Sequence, residues 1–178
     1  MKTKTTNTIP SPDECISLLQ KVGCSEHVIC HCKAVYKVAV KLAERTNADM
    51  NLVKAGALLH DIGRSKTHKI NHGIVGGRIA KEYGLSSKLV RIIETHIGAG
   101  LTPTIAESLG LPPRNLMPET LEEKIVCHAD NLIDDCSRQN IEVEVKRALD
   151  ENHKEYAIQL VNLHKEISDI IGMDANLV

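Results

Sequence analysis

The chain contains no phenylalanine and no tryptophan, and only three tyrosines. Its core must therefore come from Leu, Ile, Val, Ala and Met, and the aromatic platforms on which a single-strand binder stacks bases are missing. No CxxC spacing occurs among Cys15, Cys24, Cys30, Cys32, Cys127 and Cys136, and no apolar N-terminal run resembles a signal peptide. Both absences predict a reduced, cytoplasmic chain. No apolar run approaches a membrane span, so no membrane partner is expected. A net charge of -1 gives no broad electrostatic surface for nucleic acid, although it leaves room for a single basic pocket.

With 178 residues, 42% hydrophobic and 25% charged, the chain has the length and composition of one globular domain. Its nine histidines are the unusual count, since imidazole is the commonest transition-metal ligand among side chains.

Residues 1–10 are polar and Thr-rich and read as a flexible leader, with residues 11–178 forming a single helical domain. Ser11 before Pro12 begins a short helix that Gly23 should end. Ser25 caps a longer one reaching about Arg45, whose residues Val28, Val35, Val38, Ala39 and Leu42 recur at helical spacing. His31 lies on or beside that stripe and should face inward. Asp49 caps a third helix, apolar almost all round and so central, which delivers His60 and Asp61 at its C-terminal end. Adjacent helical side chains point about 100° apart, so both reach one ion only if the backbone bends, and Gly63 permits that bend.

Asn71 is expected to cap a fourth helix ending at Gly84, and Ser86 or Ser87 a fifth carrying His96 near its end. Thr102 before Pro103 begins a short sixth, closed by Gly110. Thr120 with Glu123 reads as a capping box opening the helix that holds Asp130. Residues 141–171 are helical again, with a break near Asn152. No segment alternates with period two between turn signals, so no sheet is expected. The fold class is all-α, a single-domain bundle of about seven to nine helices.

His31, then His60 and Asp61 in LLHDIG, then Asp130 in EEKIVCHADNL fall in order on three predicted helices. This order resembles the H…HD…D signature of the HD-domain superfamily of metal-dependent phosphohydrolases, in its small stand-alone HDIG form, over about residues 25–135. His27 shares a face with His31 and is its rival, but the apolar text that follows fits the family at His31. Two imidazoles and two carboxylates suit one divalent ion such as Mn, Fe, Co, Ni, Zn or Mg, which lowers the pKa of bound water and draws charge from a phosphoryl group.

The resemblance implies more. Superfamily members with extra histidines between HD and the last aspartate often hold a second ion, which would make Asp61 the bridge and His72 and His96 the added ligands. With one ion, His72 and His96 would instead face the substrate phosphate or act as general acid. Arg64 follows HDIG directly, where its guanidinium can hold phosphate oxygens in a fork. Lys66 and Lys124 are weaker candidates. Gly73, Gly76, Gly77, Gly98 and Gly100 either let backbone approach a ligand or serve tight packing.

The other histidines have blander readings. His68 is a solvated loop residue, His128 points away from Asp130, and His153 and His164 belong to a solvent face. The thiols of Cys30 and Cys32 diverge on a helix, so the run around His31 reads as core packing, and Cys127 and Cys136 as structural or idle.

The expected function is metal-dependent hydrolysis of a phosphate ester of a small molecule, a nucleotide or a cyclic phosphate, by a phosphomonoesterase or phosphodiesterase. The GYP segment of the cyclic-di-nucleotide branch is absent after His96. The alternatives are a non-catalytic, metal-containing ligand-binding or regulatory module, and oxygenase chemistry at a two-iron site. The charge-rich final helices either cover the core or join a second copy of the chain.

Overall fold

Side-chain caps start most of the helices in the computed structural model, which describes residues 7–178. Ser11 accepts from the Glu14 amide while the Glu14 carboxylate accepts from the Ser11 amide, opening α1 (Pro12–Val22), and Gly23 closes it at φ 89°. Ser25 starts α2 (Glu26–Ala43), Asp49 starts α3 (Met50–Leu59), and Ser86 starts α5 (Ser87–Thr95). Thr102 and Thr120 do the same for α6 (Pro103–Ser108) and α7 (Leu121–Asn131). Each such bond satisfies one of the amides that a helix start leaves without a partner, an effect of about 1 kcal/mol. The remaining helices are α4 (His72–Glu82), α8 (Ile141–Asp150) and α9 (Lys154–Ile171), with the last two separated at Asn152, whose φ is 62°.

The all-round apolar α3 is central, as its composition predicts. Leu52, Val53, Ala55, Ala57, Leu58 and Leu59 are buried, and the helix packs against α1, α2, α5 and α7. Each fully buried Leu or Val contributes roughly 1.5–3 kcal/mol relative to exposure, so the helix that carries His60 is among the best anchored in the molecule. α4 pairs with α5, and α8 with α9, which covers α7. Among the described residues, no helix is long and apolar enough to cross a membrane.

Several expectations are corrected. A two-stranded antiparallel hairpin follows α7, β1 (Ile133–Asp134) with β2 (Ser137–Arg138), where no sheet was expected. Strands of two residues are too short to show alternation. The leader is partly held: Ser86 donates its amide to the Thr8 carbonyl at 2.9 Å, while the first six residues lie outside those described. α2 ends at Ala43 instead of Arg45. Asn71 does not cap α4; its Oδ1 accepts from Thr67. Glu123 bonds the amide of Glu119 and not that of Thr120, so the second half of the predicted capping box is displaced by one residue.

Gly63 also has a different role. The chain turns at Asp61 itself (φ -96°, ψ 14°) into a 3-10 turn, Ile62–Ser65. A Cβ on Gly63 would meet the His72 carbonyl oxygen at 1.9 Å, so this glycine lets the start of α4 press against that turn. Gly73, Gly76 and Gly77 likewise face Ile93, Ile97 and Glu94 of the α5 region, which is packing and not ligand approach.

The cysteines depart from the fully reduced, idle set. Cys30 and Cys136 form a disulfide that ties α2 to the hairpin, with Cα atoms 5.8 Å apart. Cys15, Cys24, Cys32 and Cys127 are free and buried.

Candidate metal centre

His60 takes the last helical conformation of α3 and Asp61 the first non-helical one, so the two side chains enter a common space from one helix end. His60 Nδ1 lies 2.7 Å from the Ala57 carbonyl, which only accepts, so that nitrogen carries a proton and Nε2 is left to face the site. The same arrangement recurs three times. His31 Nδ1 donates to the Asp135 carbonyl at 2.5 Å, His72 Nδ1 to Lys69 at 2.8 Å, and His96 Nδ1 to Ile93 at 2.8 Å. A backbone carbonyl that fixes one ring nitrogen and leaves the other free is how metal-binding histidines are oriented.

The free nitrogens converge. His31 Nε2 is 3.3 Å from His60 Nε2, and His72 Nε2 is 3.1 Å from His96 Nε2. Facing lone pairs repel at these separations unless a proton or a cation lies between them.

The carboxylates supply the countercharge. Asp130 Oδ1 sits 2.9 Å from His31 Nε2 and 3.4 Å from His60 Nε2. Asp61 divides its oxygens: Oδ2 faces His31 and His60 at 3.9 and 3.8 Å, and Oδ1 faces His72 and His96 at 3.1 and 3.4 Å. Oδ1 is buried, and no hydrogen bond of ordinary geometry reaches it from the described residues. Such an orphan is costly unless a cation or a proton satisfies it. Three triads, His31 with His60 and Asp61, His60 with His96 and Asp130, and Asp61 with His72 and His96, bring their donor atoms within 4.8 Å of one another. The donor set fits divalent ions.

The electrostatics agree. Burial disfavours charge on His60, yet Asp130 and Asp61 outweigh it and lift its pKa to about 9. Burial likewise opposes ionisation of Asp61, but the charge of His60 and the facing imidazoles of His72 and His96 hold its carboxyl well below the usual range. Asp130 is depressed against its own burial by His60 and His31. His96, fully enclosed, is pushed down by burial. The site thus stabilises positive charge among its ligands.

All six expected ligands, His31, His60, Asp61, His72, His96 and Asp130, meet here. Arg64 is corrected in part: its Nε donates to Asp61 Oδ2 at 2.6 Å, leaving the two terminal nitrogens for a ligand in the opening. That opening, about 340 Å³, is rimmed by His27, Arg64, His68, Asp134 and Asp135. His27 is exposed and pairs with Asp135 at 3.4 Å, so His31 and not His27 enters the centre. Lys66 is exposed, and Lys124 is engaged by Glu166 at 2.6 Å.

His128 points away from Asp130 as expected, and His164 departs from the expected solvent face. His128 is buried and meets His164 at 3.2 Å, and His164 in turn meets Asp174 at 3.1 Å, tying α7 to α9 and the C-terminal turn. Sequence reasoning missed the Asp135 carbonyl, which lies 104 residues from His31 and belongs to a hairpin with no sequence signal.

Comparison with known proteins now decides the family. The HD domain family model matches residues 28–134, a span that contains all six candidate ligands. This chain belongs to the HD-domain family. The HD-domain chain is 45% identical over 93% of its length to a tRNA (cytidine(56)-2'-O)-methyltransferase of Thermoplasma volcanium, and spans about half (49%) of that relative. It is 44% identical, over 89% of its length and 98% of the relative, to the Methanocaldococcus jannaschii protein MJ0778. Among solved structures, the HD domain of the phosphodiesterase PgpH from L. monocytogenes has the same fold, with a TM-score of 0.57 at 18% identity, covering 86% of this chain and 94% of that one.

Proposed function

We propose that this HD-domain protein is a metal-dependent phosphohydrolase that cleaves a phosphate ester of a nucleotide-like molecule. The observation that carries this reading is the convergence of four histidine Nε2 atoms and two aspartates, with Asp61 presenting one oxygen to each histidine pair. A divalent ion, when bound there, would supply an acidified water and an electrophile for phosphoryl oxygens.

The chain's own residues do the rest. His31, His60, Asp61 and Asp130 would hold one ion, and Asp61, His72 and His96 would hold a second where two bind. Arg64 orients Asp61 through Nε and offers its terminal nitrogens to the phosphate. The carbonyls of Ala57, Lys69, Ile93 and Asp135 keep each imidazole in the tautomer that binds. Cytoplasmic location and self-association through the final helices belong to the same proposal.

A tRNA-linked substrate is the second reading. The similarity to the Thermoplasma volcanium relative favours it, because a domain carried within a tRNA-modifying protein meets its phosphates in RNA. Methyl transfer itself belongs to the whole relative, and the nitrogen and carboxylate donors of this centre suit water activation and not transfer of a carbon.

The test is a panel of phosphate mono- and diesters, including RNA ends, assayed with Mn, Co, Ni, Zn and Mg. Phosphate or alcohol release that disappears in the metal-stripped protein, and in Asp61→Ala together with its bound metal, is expected. Turnover surviving in the stripped protein sinks the reading. Saturable binding without release across the panel favours the non-catalytic module.

A further inference from the structure

Beside the metal centre, and separate from it, runs a second and larger depression of about 590 Å³. Lys33, Lys37, Lys41 and Arg138 line it, against a single acidic lining residue, Glu26. The three lysines stand four residues apart on α2 and so form one row, each about 6 Å further along the axis. Arg45 continues the row beyond the helix end into an adjoining depression that Lys41 and the acidic Glu44 also line.

Lys33, Lys37, Lys41 and Arg45 are exposed, and none makes an ion pair or a side-chain hydrogen bond with another described residue. Other exposed cations, among them Lys66, Lys69, Lys88 and Lys154, are also outside ion pairs among the described residues, so the row is set apart by its regular spacing along one groove. Arg138 differs. Its guanidinium donates to the carbonyls of Leu132, Gln139, Ala175 and Asn176, so it forms the wall of the groove and leaves the lysines as the free cations.

The groove adjoins the metal centre around α2. Lys33, two residues after His31, points to the other side of the helix, and Ile133 of the hairpin lines both the groove and the opening of the centre. Between them stands the hairpin, tied to α2 by Cys30 and Cys136.

We infer that the α2 row is the track for the phosphate backbone of a single-stranded RNA whose scissile or terminal phosphate is placed in the metal centre. The inference rests on the phosphoester reading above and names where the rest of such a substrate lies. Evenly spaced, unpaired cations match the repeating charge of an extended strand, and the track supplies the positive field that a net charge of -1 and an acidic centre do not. With no Phe or Trp in the chain, recognition is by backbone and not by stacking, so it is indifferent to sequence and strongly dependent on salt.

The test measures anisotropy of a fluorescein-labelled oligouridylate against increasing KCl for the wild-type chain and for Lys33→Glu/Lys37→Glu/Lys41→Glu. Hydrolysis of bis(p-nitrophenyl) phosphate and thermal melting are followed in parallel. In the wild type, log K should fall against log salt with a slope of about -2, as three neutralised phosphates on a single strand require. In the triple variant, affinity should fall about tenfold or more at moderate salt and the slope should flatten, while melting and small-ester turnover stay unchanged. Unchanged RNA affinity in a folded triple variant overturns the track. So does lysine-dependent binding to phosphatidylserine vesicles with no binding to the oligonucleotide. Lysine-dependent RNA binding with no ester hydrolysed under any metal would instead overturn the phosphohydrolase reading and leave the track standing.

Discussion

Arg64 serves two groups with one guanidinium. Its Nε holds Asp61 Oδ2 at 2.6 Å, while its side chain reaches the rim of the opening. A charge-assisted bond of this kind is worth about 1.5–3 kcal/mol, which corresponds to roughly ten- to a hundredfold in a binding constant. Arg64→Ala keeps all six ligands, so metal content should hold while KM for a phosphate ester rises about tenfold or more. A parallel loss of bound metal would show that Arg64 acts only by positioning Asp61.

The convergence of the candidate ligands was legible in the sequence because the HD pair, the earlier histidine and the later aspartate each sit on a helix that its caps and apolar spacing define. What the sequence did not show were pairings made across long separations. The Asp135 carbonyl on His31, the tie from His128 to His164 and Asp174, and the disulfide between Cys30 and Cys136 all depend on where the hairpin and α9 come to rest. No local pattern encodes those contacts.

At the scale of elements, the helices were legible for a physical reason. Ser, Thr and Asp at helix starts satisfy amides locally, so Ser11, Ser25, Asp49, Ser86, Thr102 and Thr120 announce themselves without tertiary context. The hairpin and the 3-10 turn have no such signature. Their geometry is set by packing, and Gly63 shows how tightly.

A methyl group at Gly63 would collide with the His72 carbonyl and with the Gly76 amide at 2.7 Å, both backbone groups that cannot rotate away. Gly110, by contrast, has φ 73° and nothing within 4 Å of its missing Cβ. Gly110→Ala should therefore cost only the left-handed backbone penalty, about 1 kcal/mol. Gly63→Ala should cost about 3 kcal/mol or more and, by pushing α4 away, should lower metal content as well. Denaturant melts of the two variants with metal analysis compare them directly; equal destabilisation, or full metal content in Gly63→Ala, would contradict this account of the turn.

For the whole molecule, the centre is a junction. Its candidate ligands come from α2, the end of α3, the starts or ends of α4 and α5, and α7, so one cluster joins side chains of five helices around the core. Without a cation, the same cluster brings buried, facing nitrogens and an unpartnered carboxylate oxygen together, an arrangement that opposes folding. Bound metal should therefore stabilise the entire chain and not a local loop. For an ion present at about a hundred times its Kd the linkage contributes about 2.7 kcal/mol, and in a domain of this size each kcal/mol moves the melting midpoint by about 2–4 °C. Chelation should lower the midpoint of the wild-type chain by roughly 5–10 °C in a single cooperative transition. Asp61→Ala, which removes the shared ligand, should melt at the same temperature with and without chelator. A chelator effect of the same size in that variant would place the stabilising ion somewhere other than this junction.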